Sequence, residues 1–192
     1  MITQIDVLNV LSRVGSGSHR DLVTRSTGRA VRTSIEMELA SITGRAVVVL
    51  DFSSVRIIDC SCADEIVAKL LQSSLAPDAG GSTFFLVRGL DDHQIEDIAE
   101  VLRRQQLALV AESRGSLTLL GEVADQARLA FQRICARGRA AAADLAADLA
   151  WPLEDVNAAL DELAHRRLVM RDDEALYRPP ALPAPEQCPS VT

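Results

Sequence analysis

The chain is poor in the residues that most often build metal, redox and membrane chemistry. It has one lysine, three histidines and four cysteines among 192 residues. No apolar run approaches the ~18 residues of a membrane span, so no membrane partner is expected. The opening Met-Ile-Thr-Gln-Ile-Asp lacks a basic segment ahead of an apolar core. No secretion signal is therefore expected, and the expected location is cytoplasmic. Of Cys60, Cys62, Cys135 and Cys188, only the first two are neighbours. Cys-x-Cys with no histidine beside it is too sparse for a zinc site, so these thiols read as small packing residues. His19, His93 and His165 share no ligand spacing, and neither metal nor cofactor is expected. No Ser-His-Asp order, phosphate-binding Gly-x-x-x-x-Gly-Lys loop or Gly-x-Gly-x-x-Gly turn occurs, so the chain does not read as an enzyme. A net charge of −7 argues against a general nucleic-acid coat protein. Arginine replaces lysine everywhere except at Lys69. That is the bias of a high-GC bacterial genome, and arginine number alone says little about phosphate binding.

What the chain does have is the segment from Val47 to Glu65. Val47, Val48, Val49 and Leu50 form a continuous apolar run, which fits a strand covered on both faces. From Ala63 the apolar residues fall at helical spacing, through Ile66, Val67, Leu70 and Leu71. The change of period falls at Asp59-Cys60-Ser61-Cys62. A short polar loop is thus held at a helix N-terminus, where unpaired N–H groups and the helix dipole favour negative charge. A phosphate there would be stabilised.

Around that segment the periodicities predict alternating elements. Ile5–Val14 reads as a first strand, Gly15 to His19 as a turn, and Asp21–Thr24 as a short extended piece. A helix follows Ser26-Thr27, with Val31, Ile35, Leu39 and Ile42 on one face and Gly44 at its end. The strand at Val47 and the helix over Ala63–Ser73 come next. Pro77 to Gly81 reads as a loop, and Thr83–Arg88 as a second buried strand. Asp91-Asp92 can cap a helix with Ile95, Ile98, Ala99 and Leu102 inward. Leu107–Glu112 and Ser116–Leu120 read as two strands around Arg114-Gly115. Residues 1–121 are therefore expected to form one α/β layer domain, with the central strands parallel neighbours.

From Glu122 the pattern becomes helical. Ala127, Ala130, Phe131 and Ile134 make one stripe, which Gly138 stops. A second helix covers Ala141–Ala150, with Leu145 and Leu149 inward. Trp151-Pro152 makes a turn with Pro152 at the first helical position, and a third helix follows with Val156, Leu160 and Leu163 inward. Leu168–Arg171 and Ala175–Arg178 read as two strands about Asp172–Glu174. Three helices closed by a hairpin make a winged helix-turn-helix, here over 122–178. The proline-rich residues 179–192 read as a disordered tail.

Asp51-Phe52 at a strand end, followed by Ile58-Asp59-Cys60-Ser61-Cys62-Ala63-Asp64-Glu65, resembles STAS domains, over roughly residues 5–121. The likeness is closer to the STAS-like variant whose loop runs into an Ala-Asp-Glu helix start. In the anti-sigma-factor antagonists of that superfamily the loop reads Asp-Ser-Ser-Gly, and a partner kinase phosphorylates the second serine. Ser61 stands at that position and Asp59 keeps the aspartate. Cys60 replaces the first serine and Cys62 the glycine. The resemblance implies a mixed sheet with packed helices and a protein partner, an anti-sigma factor or a histidine-kinase-like ATPase. It also implies docking through Asp59, Cys60, Ser61, Cys62, Asp64 and Glu65, with Ser61 the candidate for phosphorylation. Residues 122–178 resemble the winged-helix modules of MarR- and ArsR-type regulators, and Leu160-Asp-Glu-Leu-Ala-His-Arg-Arg-Leu-Val169 matches their helix-to-wing passage.

Each candidate has a plainer reading beside it. Ser61-x-x-Asp64 is close to a capping box, so Ser61 can be a helix cap alone. Asp64 and Glu65 are adjacent helix residues pointing about 100° apart, so they read as dipole partners and not as a catalytic pair. In the winged module, DNA contacts would fall to Arg133, Arg137, Arg139, Arg166 and Arg167. The expected reading helix carries Glu154, Asp155, Asp161 and Glu162, which oppose phosphate contact. The expectation is a non-catalytic protein–protein switch. A DNA-binding regulator is the alternative, and the winged module could also serve docking or a homodimer.

Overall fold

The computed structural model describes residues 1–15, 20–76 and 83–180. The expected turn at 16–19, the loop at 77–81 and the tail beyond 180, with His19 and Cys188, lie outside the described residues. The protein is mixed α/β. Its main sheet contains β1 (Ile2–Asp6), β3 (Ala46–Asp51), β5 (Thr83–Arg88), β6 (Ala108–Ser113) and β7 (Ser116–Gly121), in the order β1-β3-β5-β6-β7. The first four strands are parallel, and β6–β7 is an antiparallel hairpin. Arg114 and Gly115 both take positive φ at its turn, which matches the strand twist.

The order of strands decides where the helices go. Parallel crossovers are right-handed, and here each one steps in the same direction across the sheet. Helices α1 (Val7–Val14), α2 (Arg25–Leu39), α3 (Cys60–Ala63), α4 (Lys69–Leu75) and α5 (Asp92–Arg104) therefore gather on one face. Ile5, Val48, Leu50, Phe85, Val87 and Leu109 point into the core beneath them. The opposite face of the sheet, left bare by those crossovers, presents Val47, Val49, Phe84, Leu86, Val110 and Leu119. The helices α6 (Asp125–Arg137), α7 (Ala142–Leu149) and α8 (Leu153–His165) share a core with that face, through Phe131, Ile134, Leu145, Val156, Leu160 and Leu163. Arg167 and Arg166 add polar ties, donating to the carbonyls of Thr83 and Gln106. A short hairpin, β8 (Met170–Arg171) with β9 (Tyr177–Arg178), follows α8, and Tyr177 also bridges to Ala140.

Several expected elements sit elsewhere. The segment Ile5–Val14 is not a strand. β1 ends at Asp6, whose side chain accepts from the Asn9 N–H and starts α1. The alternating reading of Ile5, Val7 and Leu11 concealed the spacing of Val7, Val10 and Leu11, the three residues that α1 buries. Helix α2 begins earlier, at a Thr24 cap, and ends at Leu39, so Ile42 and Gly44 lie in the loop beyond it. Pro152 occupies the cap position just before α8, not its first turn. In α5, Ile98 and Leu102 are buried as expected. Gln94 and Val101 replace Ile95 and Ala99 as the other buried residues. Gln94 completes a capping box with Asp91 and donates to the Val55 carbonyl.

Candidate protein-docking site

The loop before α3 is fixed by a second, two-stranded parallel ribbon of β2 (Asp21–Leu22) and β4 (Ile57–Ile58). Leu22 and Ile58 are buried beneath it. The Asp59 N–H donates to the Leu22 carbonyl, which carries the ribbon directly into the helix start. Asp59, and not Ser61, is the cap. Its Oδ1 accepts from the Cys62 N–H and from the Ser61 hydroxyl, both at 2.8 Å. Ser61 is the second residue of α3 and half-exposed. The capping-box spacing Ser61-x-x-Asp64 is thus superseded, because the carboxylate two residues earlier already holds the orphan donor.

The six loop residues divide into two sets. Asp59, Cys60, Ser61 and Asp64 are partly exposed, whereas Cys62 and Glu65 are buried. Cys62 donates its thiol to the Thr24 carbonyl at 3.0 Å. Burial, followed by the Asp59 charge, pushes that thiol up to about 11, so it is no thiolate nucleophile at neutral pH. Burial and Asp97 push the Cys60 thiol up as well. Gly28 on α2 permits the close crossing here. A Cβ at that position would lie 3.0 Å from Glu65 Cβ and 3.1 Å from Cys62 Cα.

Glu65 cannot dock a partner, since it is 0% exposed. It lies in a π-helical turn, Asp64–Ala68, between α3 and α4. Oε1 accepts from Lys69 at 2.6 Å and from Arg25 at 3.0 Å, and Arg29 is 3.9 Å away. Oε2 lies 3.6 Å from Arg32 and makes no hydrogen bond. Burial pushes the Glu65 carboxyl up, but Lys69, Arg25 and Arg29 outweigh it and hold the group below the ordinary carboxylate range. Arg25 also holds Asp64 at 2.8 Å, so the two adjacent carboxylates converge on one guanidinium. Asp64 and Glu65 both lie in the π turn, and Arg25 reaches both from α2. The result is an ionic clamp that fixes α2 against the loop helix.

Two neighbours escape sequence reasoning. Val23, just after β2, and Ile57, in β4, are 49% and 45% exposed. They flank the loop as β-branched apolar side chains open to contact. The signal available was Ile57-Ile58 itself, because a two-residue strand that buries one isoleucine must turn the other outward.

The arginines proposed for DNA are scattered. Arg166 and Arg167 are tied to the sheet region, and Arg137 makes a bidentate pair with Asp148. Of these five, only Arg133 and Arg139 are exposed and make no ion pair among the described residues. A polar cleft of about 660 Å³ opens at the carboxyl ends of β3, β5 and β6. Its Asp51 accepts from Arg88, Gln4 and the Ser53 N–H. Burial pushes the Asp51 carboxyl up, and Ser53 and Arg88 outweigh it and hold it down. The strand order never reverses there, so the cleft lacks the switch-point crevice of ligand-binding α/β sheets. Among the described residues, no group of three or more His, Cys, Asp and Glu could hold a metal ion. No helix among them is long and apolar enough to cross a membrane.

Compared with known proteins, the chain matches no family model, no curated protein and no solved structure.

Proposed function

We propose that the protein is a non-catalytic regulator built on a STAS-like domain, and that it binds a protein partner through the loop at 59–64 with Val23 and Ile57. The observation that carries this reading is the Asp59–Ser61 pair. Oδ1 of Asp59 accepts from the Ser61 hydroxyl and from the Cys62 amide at once. A phosphate on Ser61 would remove the donated proton and set nearly two negative charges against that carboxylate. The phosphate would be driven outward from the cap, into the half-exposed surface where a partner sits. Modification would therefore weaken docking by repulsion and desolvation. The partner fitting this surface offers apolar contacts to Val23 and Ile57 and donors to Asp59 and Asp64. An anti-sigma factor or a histidine-kinase-like ATPase is the class that the loop's resemblance implies, and the bacterial cytoplasm is where it would act.

The test takes the full chain from its source cells and asks by mass spectrometry whether Ser61 is phosphorylated. It then measures binding of the recovered partner to the wild type, Ser61→Asp and Ile57→Asp. Both substitutions are expected to abolish binding, and Ser61→Ala to retain it. Equal binding by all four proteins would sink the proposal.

The second reading, a winged-helix DNA binder over 122–178, has the three helices and the hairpin in its favour. Against it stand the engaged Arg166 and Arg167 and the acidic exposed side of α8. A salt titration of full-chain DNA binding decides, because true binding weakens steeply with salt. If DNA is bound, Arg133 and Arg139 carry it, and replacing both with alanine flattens the salt slope.

A further inference from the structure

We infer that the protein self-associates head to tail, with the exposed side of α8 of one copy seated in the groove along α2 of the next. The inference stands apart from the function proposed above. The groove lies between the end of α1 and the outer side of α2, lined by Val14, Arg29, Ala30, Thr33, Ser34 and Met37. Its small middle residues leave room for an approaching helix. Its ends differ in chemistry. Met37 is 73% exposed, with Val14 beside the same groove. Arg29 is 65% exposed, and its nearest acidic partner is Glu65 at 3.9 Å, a distance too long for a hydrogen bond.

Helix α8 carries the complementary stripe. Leu153, Asn157, Ala158 and Asp161 are all exposed, at spacings that place them on one side. Leu153 is 51% exposed, and Asp161 has no ion pair among the described residues. Laid antiparallel, the two helices match residue for residue. Leu153 meets Met37, Asn157 meets Thr33, and Asp161 meets Arg29. Each step is four residues on both helices, and each stripe runs about 12 Å at the α-helical rise. Arg25, one turn beyond Arg29, is already held by Asp64 and Glu65. Pairing one α2 groove with another would bring Arg29 no carboxylate beyond the buried Glu65, and pairing two α8 stripes would leave Asp161 with no cation. A second copy presenting α8 satisfies both.

The two surfaces lie on opposite sides of the sheet. α2 belongs to the helix layer over one face, and α8 to the layer over the other. A contact between them is heterologous and leaves a free groove and a free α8 at the ends, so association continues beyond two chains. One helix pair is a small interface, at the weak and transient end of the range. Its charged contact is exposed and therefore sensitive to salt.

Sedimentation and light scattering of the full chain, from micromolar to millimolar, test the inference. The wild-type mass is expected to rise past that of a dimer, and less so at high salt. Arg29→Glu and Asp161→Arg are each expected to weaken association at least about tenfold and to hold the protein near monomer mass. Circular dichroism checks that these surface substitutions leave the fold intact. An equimolar mixture of the two variants is expected to assemble again, because each then offers the other a complementary surface at both ends. A wild type that stays monomeric, or stops at two chains, overturns the arrangement. So does either single variant assembling like the wild type, or a mixture that remains monomeric.

Discussion

The two faces of the central sheet are built by different physics. One face is covered by helices that the chain lays down between consecutive strands, and their packing includes an ionic clamp around Glu65. The other face is covered by helices from a single later stretch of chain, which meet the sheet through hydrophobic side chains. Val47 and Val48, one residue apart on β3, belong to different cores. The first face places a polar loop where a partner can reach it. The second fixes α6–α8 and engages Arg166 and Arg167. The three helices α6–α8, which look independent along the chain, thus share a core with the second face of the sheet.

The strongest way to break this contrast is to remove residues 122–192. Val47, Val49, Phe84, Leu86, Val110 and Leu119 would then face water. At ~1.5–3 kcal/mol for each buried large side chain, their loss rivals the whole stability of a typical domain, about 5–15 kcal/mol. The truncated chain is expected to aggregate or to melt without a cooperative transition in calorimetry. A sharp, reversible melt would show that the second face needs no cover.

A finer comparison sets Phe52→Ala, in the first core, against Phe131→Ala, in the second. Both side chains are fully buried. Each substitution should cost about 3–5 kcal/mol in denaturant unfolding, within one shared transition. Two separate transitions would restore the picture of two domains.

The ionic clamp is tested by Glu65→Gln, which should cost about 1–3 kcal/mol, because the charge-assisted hydrogen bonds from Lys69 and Arg25 are weakened while those cations remain partly exposed to water. Its pH signature follows from the sign of the shift. The folded Glu65 carboxyl lies below its ordinary value of 4.5, so its stabilisation is complete above that pH and is lost as pH falls through the lower, folded value. The wild type should lose stability over that acid range, and Glu65→Gln should lose less of it. Parallel acid profiles would assign the effect to other carboxylates. Asp51, also held low, is the first to examine.

The smallest expected effect belongs to the loop itself. Asp59→Ala removes the cap on α3 and should cost about 1 kcal/mol, while Ser61→Ala, which donates to that cap, should cost less. If Ser61→Ala is the more damaging, the serine supports the fold in a way that its single hydrogen bond does not explain.

Much of this architecture was legible along the chain. The apolar runs at Val47 and Thr83 required strands covered on both sides, and Ala127, Phe131 and Ile134 required a helix with one buried side. These are consequences of periodicity, which local residues settle by themselves. The mixed α/β sheet, its parallel central strands and the position of Ser61 near a helix start follow from the same patterns. The α1 segment is ambiguous along the chain because Val7 and Leu11, four residues apart, satisfy the alternating and the helical spacing at once. Only the tertiary structure chose between them, by burying Val10. It alone buried Glu65, because the four cations around that carboxylate come from positions 25, 29, 32 and 69, and the π turn that contains it has no sequence period. It alone brought the last three helices onto the bare face of the sheet. A sequence states that a strand needs two covers, but which distant stretch supplies the second is decided by the direction in which the crossovers step.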